Sequence, residues 1–404
     1  MVVAPGGVVD SARAGHTAIV NIGEILSGDL AEPLVRGADT VIIDDGGRIQ
    51  AVGESSALRA EVASAVRVLD VHGTTVAPAL IDSHCHVVLG DYTPRQQAIG
   101  FLEAYTHGGV ARVISAGEIH AAGLPQVPAA VKAMAIAARM AFDRHQPGGM
   151  QVDAGTVLLT PGLSADDFDE MHAVGVRLAK FGFGAYAKPQ DGVADLRTAQ
   201  AHGLRVMCHS GGPTAPTSAS ITADDLLALA PDVYGHVNGG PTSLDDDGVA
   251  RLVHEGTGAL QLVQAGNLAS ALRILGLAVE DDQLARVVIG TDTPTGTGVM
   301  PLGMLKTVAE LSSLGGVAPE VVWSFATGNN ADVFGVGGGT VRVGRAADLV
   351  VMDAPLGSAA QTARQAIARG DVPGVAAVVI AGRLRVHPSR NTPIPARRVS
   401  VHDA

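Results

Sequence analysis

Eight short apolar runs, separated by stretches of helical period, fill the middle of this 404-residue chain. The runs are 76–81, 111–115, 155–160, 176–181, 205–209, 233–236, 259–263 and 286–291. Between them, 131–142, 193–201, 224–230, 244–255 and 268–275 place apolar residues at helical spacing. Strands that are apolar along their whole length are covered on both faces, which is the situation of a parallel sheet under helices. Strand–helix alternation repeated this often predicts an α/β chain with a (β/α)8 TIM barrel over 76–338. A doubly wound open sheet is the alternative, but no G-x-G-x-x-G follows the first run.

The flanks have another texture. Short alternating strands are expected at 17–21, 40–44, 48–52 and 67–71, with a hairpin turn at Asp44-Asp45-Gly46-Gly47. Similar segments lie at 339–343, 348–353, 375–380 and 383–386. The two end pieces, 1–75 and 339–404, are expected to combine as a small composite β-sandwich. The tail from Thr392-Pro393-Ile394-Pro395 onward reads as extended surface chain.

In such a barrel, chemistry collects on the loops after the strands' C-terminal ends. His84 and His86 follow the first run, Ser115 and Glu118 end the second, and Lys180 lies in the fourth. His209 ends the fifth run, His236 and Asn238 the sixth, Gln264 follows the seventh and Asp292 the eighth. Alternate residues of an extended chain point the same way, so His84 and His86 aim two imidazoles at one place. Each residue alone has an ordinary account: a hydrogen-bonded core histidine, a helix-capping aspartate, a solvated lysine. Together, five metal-competent side chains and a lysine at the same end of successive strands point to a metal centre.

Composition narrows the partners. A net charge of −12 without a Lys/Arg cluster argues against nucleic acid. No run of about 18 apolar residues appears, so no membrane span is expected. Cys85 and Cys208 are the only cysteines, which gives no disulfide framework and makes a reducing cytoplasm the expected compartment. The N-terminal residues lack the charged and apolar regions of a signal peptide.

The order HxH, Lys, His, His, Asp resembles the amidohydrolase superfamily, as does Gly344-Arg345-Ala346-Ala347-Asp348-Leu349-Val350-Val351-Met352-Asp353. The resemblance implies two divalent ions, zinc and/or iron with manganese as an option. One would be held by His84, His86 and Asp292, the other by His209 and His236. Lys180, carboxylated by CO2, would bridge them, with Glu118 as the alternative bridge. Asp292 would also be the catalytic acid–base group. Within the superfamily, 86–96, 210–220, 236–242, 292–304 and 391–393 resemble the enamidase group. That implies opening of a cyclic amide such as 6-oxo-1,4,5,6-tetrahydronicotinate by metal-bound hydroxide, and a homo-oligomer, the tetramer in particular. Tyr92, Arg95, Glu118 and Asn238 are the candidate contacts to a small-molecule substrate; a cationic Arg95 suits a ring carboxylate. Other amidohydrolase reactions (on cyclic imides or ureides, by deamination, or on aryl amides or peptides) stay open, as does a non-catalytic scaffold. Pro78-Ala79 stands where the superfamily usually has Pro-Gly.

Overall fold

At Pro78 the chain passes from one sheet to another. The sequence predicts one strand over 76–81; instead Thr75–Pro78 belongs to a mixed sheet, pairing with Leu349–Asp353, while β1 (Leu80–Cys85) starts a parallel one. Proline has no N–H for a ladder, so an apolar run can change partners there unnoticed. The Trp323 indole marks the switch by donating to the Pro78 carbonyl at 3.0 Å. The computed structural model describes residues 15–87, 89–93, 96–117, 123–184, 186–214, 218–240 and 243–403.

The parallel strands are β1, β2 (Val110–Ser115), β3 (Gln151–Asp153), β4 (Val157–Leu158), β5 (Leu178–Phe181), β6 (Arg205–His209), β7 (Val233–Gly235), β8 (Ala259–Val263) and β9 (Val287–Gly290). Hydrogen bonds join β3, β2 and β1 in one group, and β4 through β9 in another. Of the expected strand 155–160 only Val157–Leu158 is strand; an unexpected one, Gln151–Asp153, precedes it, the two separated at left-handed Gly155 (φ +87°). β9 returns to β1: the Asp292 amide donates to the His84 carbonyl at 2.8 Å, and Cys85 bridges Thr293 in parallel. Helices such as Pro128–Phe142, Ala223–Leu229 and Leu268–Glu280 lie between consecutive strands. Ser164 and Thr222 start their helices with reciprocal capping boxes, answering otherwise orphaned N–H groups.

One apolar layer takes Ile81, Ile114, Leu178, Met207, Val233, Ala259 and Val288 from seven different strands, with Ala331 and Phe334 of the helix Gly328–Phe334 packed against it. Two residues further along those strands, on the same face, stand Ser83, Lys180, His209 and Gln261. The apolar layer is therefore the floor on which the polar site rests.

The chain ends supply two further sheets. One orders Ser400–Asp403, Arg67–Asp70, Thr17–Val20, Thr40–Ile43 and Ile49–Gly53; the other runs Arg383–Val386, Gly374–Ile380, Leu349–Asp353, Thr75–Pro78, Glu24–Leu26 and Leu34–Val35. Ile19, Val41, Ile43 and Leu69 of the first share a core with Val76, Leu349, Val351 and Val379 of the second. Two expectations fail here. Residues 339–343 form no strand, because Gly338 and Gly339 are left-handed and only the Val341 amide reaches a neighbour, the Ser27 carbonyl. The tail is not all loose surface chain: Ser400–Asp403 pairs antiparallel with Arg67–Asp70, pinned by the Arg67–Asp403 ion pair at 2.6 Å. Among the described residues, no helix is long and apolar enough to cross a membrane.

Candidate metal centre and active site

A bulge sets the direction of the first two histidines. β1 pairs with β2 at Asp82↔Val113 and next at Cys85↔Ser115, three residues on one strand against two on the other. Such an extra residue re-aims side chains. It lets Ser83 sit beside β8 while His84 and His86 turn together, their ring centres 5.2 Å apart. Asp292 meets them: its Oδ1 lies 2.9 Å from His86 Nε2 and 3.3 Å from His84 Nε2. Donor atoms of His84, His86 and Asp292 all lie within 4.8 Å of one another.

Across the floor, His209 Nδ1 is 3.0 Å from His236 Nε2, and the His236 ring lies 5.4 Å from that of His84. His209 Nε2 donates to the Gly212 carbonyl at 2.8 Å, which leaves Nδ1 with its lone pair facing inward. Gly182 (φ +112°) allows this packing; a Cβ there would come within 2.6 Å of His209 Cβ. Lys180 is fully buried, with Met207 Sδ at 3.4 Å and the Phe183 ring centre at 5.9 Å, and close enough to act electrostatically on His84, His209, His236 and Asp292. The sequence-predicted ligands therefore converge on one place.

The electrostatics suit cation binding. Burial holds the His84 and His236 imidazoles well below their ordinary range, and Lys180 adds to this. Burial likewise lowers His209 to about 4. Burial pushes Lys180 down to about 8. Burial opposes the charge on Asp292, but His84, the His86 hydrogen bond and His236 outweigh it and keep the carboxyl ionised. A neutral His84 whose Nδ1 donates to Gln261 presents a lone pair at Nε2, and that atom has no hydrogen-bond partner among the described residues. A lone pair 3.3 Å from a carboxylate oxygen is repulsive unless a cation stands between them. The residues present thus fit a metal ion.

Strained backbone marks both sides of the site. Asp292 (φ +54°) and His236 (φ +38°) occupy left-handed conformations, which cost on the order of 1–3 kcal/mol each and persist where surrounding structure enforces them. Asp82 supplies that enforcement at β9. Its carboxylate accepts from the Thr291 amide at 2.8 Å, the Thr291 hydroxyl at 2.6 Å and the His84 amide at 3.1 Å. A buried hydroxyl chain continues from it: Tyr105 to Thr293 at 2.5 Å, and Thr293 to Thr291 at 2.9 Å. Burial raises Asp82 to about 7.

Two residues proved central without being expected, Asp82 and Gln261. Both break apolar strands with a polar side chain, and that interruption is the signal the sequence offers for them. Gln264, in contrast, turns away to Thr307 and Glu310. Asn238 is committed to scaffolding: its amide accepts from the Val263 N–H at 2.8 Å and donates to the Val263 carbonyl at 3.0 Å. This ties the loop after β7 to the end of β8 instead of offering the amide to substrate. Tyr92 lies exposed on the small hairpin Tyr92–Thr93/Ala98–Ile99. Arg95 and Glu118 lie outside the described residues.

Known proteins resemble this chain over most of its length. Residues 244–385 match the family model described as the amidohydrolase family. The chain is 41% identical over 385 residues to an enamidase of Eubacterium barkeri, covering 95% of this chain and 98% of that protein. The chain belongs to the amidohydrolase family. Within it, a solved enamidase structure superposes with a TM-score of 0.92 at 40% identity, covering 96% of this chain and all 100% of that one. An imidazolonepropionase of Streptomyces griseus is 26% identical over 379 residues, 84% of this chain and 93% of that protein.

Proposed function

We propose that this chain is a binuclear metal-dependent hydrolase that opens the C–N bond of a cyclic amide, a six-membered unsaturated lactam such as 6-oxo-1,4,5,6-tetrahydronicotinate being the first substrate to test. The observation that carries the reading is the convergence of His84, His86, Asp292, His209, His236 and Lys180 on one floor, in a chain similar to enamidase over 95% of its length. His84, His86 and Asp292 would hold one ion and His209 and His236 the second, with Lys180, carboxylated by CO2, between them. Neutral imidazoles and a carboxylate suit zinc, iron or manganese. Bound divalent ions supply a water of low pKa and polarise a carbonyl.

The protein's own part is proton movement and positioning. Asp292 Oδ takes the proton of the attacking water and returns it to the ring nitrogen as the C–N bond breaks, because an amide anion leaves poorly. The enamine released would tautomerise to an imine and lose ammonia to water. Lys180 near 8 is partly neutral at physiological pH, the form in which an amine adds CO2. Tyr92 and Arg95 remain the candidate substrate contacts.

The succession of parallel strands, with β9 returning to β1 above a shared floor, supports a closed (β/α)8 barrel from Leu80 to about residue 338. The two end sheets with one core support a composite β-sandwich built from residues 17–78 and 349–403. A cytoplasmic homo-oligomer, the tetramer in particular, completes the reading. The test is ammonia release from the tetrahydronicotinate lactam by zinc- or iron-loaded protein. Chelation should abolish it; activity confined to another cyclic imide, ureide or amine substrate would overturn the lactam assignment.

A further inference from the structure

Gln261 sits at the middle of β8 with its side chain fully buried, and it touches both halves of the site. Its Oε1 receives His84 Nδ1 at 2.6 Å and the His236 backbone amide at 3.2 Å. Its Nε2 meets the Ser83 carbonyl at 3.0 Å and the Ser83 hydroxyl at 2.9 Å. The amide's orientation is not free. A backbone N–H can only donate and a carbonyl can only accept, so His236 N fixes Oε1 on one side and Ser83 O fixes Nε2 on the other. The Ser83 hydroxyl gives its own proton to the Ile289 carbonyl at 2.7 Å, so it too accepts from Gln261. Oε1 has no proton to give, and His84 must therefore carry its hydrogen on Nδ1. Its Nε2 is then the nitrogen that faces His86 and Asp292.

We propose that Gln261 is the positioning residue of the metal centre: it selects the His84 tautomer that presents Nε2 inward, and through the same oxygen it locks His84 to His236 on the opposite side. The proposal rests on the reading of these histidines as metal ligands. A single acceptor shared by one ligand's ring and another ligand's backbone couples the two positions. It also holds His236 in its left-handed conformation, which that residue would otherwise relax from. Partners of this kind, which touch a ligand and not the ion, typically change metal affinity by about 10–100-fold when removed.

Two variants separate tautomer control from mere packing. Gln261→Leu keeps the volume and deletes every hydrogen bond. Gln261→Glu keeps the oxygen that accepts from His84 and His236 and loses the donor to Ser83. Zinc affinity of each metal-stripped protein is measured by competition with a chromophoric chelator, without substrate. The expected result is a loss of about 10–100-fold for Gln261→Leu and recovery to within about threefold of the parent for Gln261→Glu. Unchanged affinity in the Leu variant overturns the proposal. So does a Glu variant as weak as the Leu variant, because the Ser83 contacts would then be what matters. If the Leu variant does not fold, the Glu variant decides alone: parent-like affinity supports the proposal and a tenfold or greater loss contradicts it. A zinc-loaded parent that releases no ammonia from lactams defeats the proposed reaction separately, whereas a parent that binds no zinc defeats both.

Discussion

The two corners of the site are held by different means. At the β1–β9 corner, a carboxylate and two imidazoles gather within 4.8 Å. Side chains anchor them: Gln261 holds His84, and Asp82 holds Thr291 and the His84 amide beside Asp292. At the β6–β7 corner only two imidazoles face each other, held by the Gly212 carbonyl and by Gln261 through the His236 backbone. The first corner carries its own negative charge and a dense support; the second has neither. In the proposed centre it would depend on Lys180, whose amine would first have to become a carbamate anion. The first corner should therefore hold the tighter ion, and the second the exchangeable one.

The largest effect should come from Asp292→Asn. Turnover should fall by about 10²–10⁴-fold, the contribution of positioned proton transfer, while metal content at saturating metal stays near that of the parent, although the ion is held less tightly. Steady-state rates with elemental analysis check this, and wild-type rates would remove Asp292 from its role. Next, His84→Ala and His209→Ala should each cost one ion, and not the same one. Dialysis against a weak chelator should leave His209→Ala its remaining ion and strip His84→Ala completely. If both variants retain their ion equally, the two corners are equivalent and the comparison fails.

Lys180→Met should weaken the exchangeable ion and leave the tight one in place. Because it removes a buried amine whose direct contacts are the Met207 sulfur and the Phe183 ring, with burial pushing its pKa down, it should leave the melting temperature of metal-stripped protein unchanged or higher. A drop of several degrees would show that Lys180 has a structural partner.

The smallest effect is on pH dependence. His84, His107, His209 and His236 are all shifted down by burial, His107 and His209 to about 4. Each binds its proton more readily unfolded, so stability of metal-stripped protein is full above about 6.5 and declines as pH falls towards 4. Asp82, raised to about 7 by burial, acts oppositely, favouring the fold as pH falls from 7 to about 4. Asp91 and Asp348, also raised by burial, act the same way as Asp82; the four imidazoles outnumber these three carboxylates and leave a net loss on acidification. Denaturant melts between pH 7 and 4.5 measure it, and a flat or rising profile would contradict the burial of these imidazoles as neutral groups.

The candidate ligands were legible in the sequence because a histidine or aspartate at the end of an apolar strand breaks a strong pattern. His209, His236 and Asp292 follow from that rule directly. The anchors were harder to see. Gln261 and Asp82 also interrupt apolar strands, but only their three-dimensional neighbours, Ser83 with both histidines and Thr291 with His84, give them a task. The bulge between Asp82 and Cys85 leaves no mark in residue type, since it is a matter of register between β1 and β2. The sheet change at Pro78 and the pairing of Ser400–Asp403 depend on partners hundreds of positions away. Asn238 looked like a site residue from its place after His236 and became a brace because its amide fits the Val263 backbone.

The most direct measurement is anomalous diffraction from crystals of metal-loaded protein, at the zinc and iron absorption edges. Two peaks are expected, one contacting His84 Nε2, His86 and Asp292, the other contacting His209 Nδ1 and His236 Nε2, with the first retaining full occupancy after brief chelation. A single peak, or two peaks that are lost together, would contradict a centre built from one strongly anchored and one dependent corner.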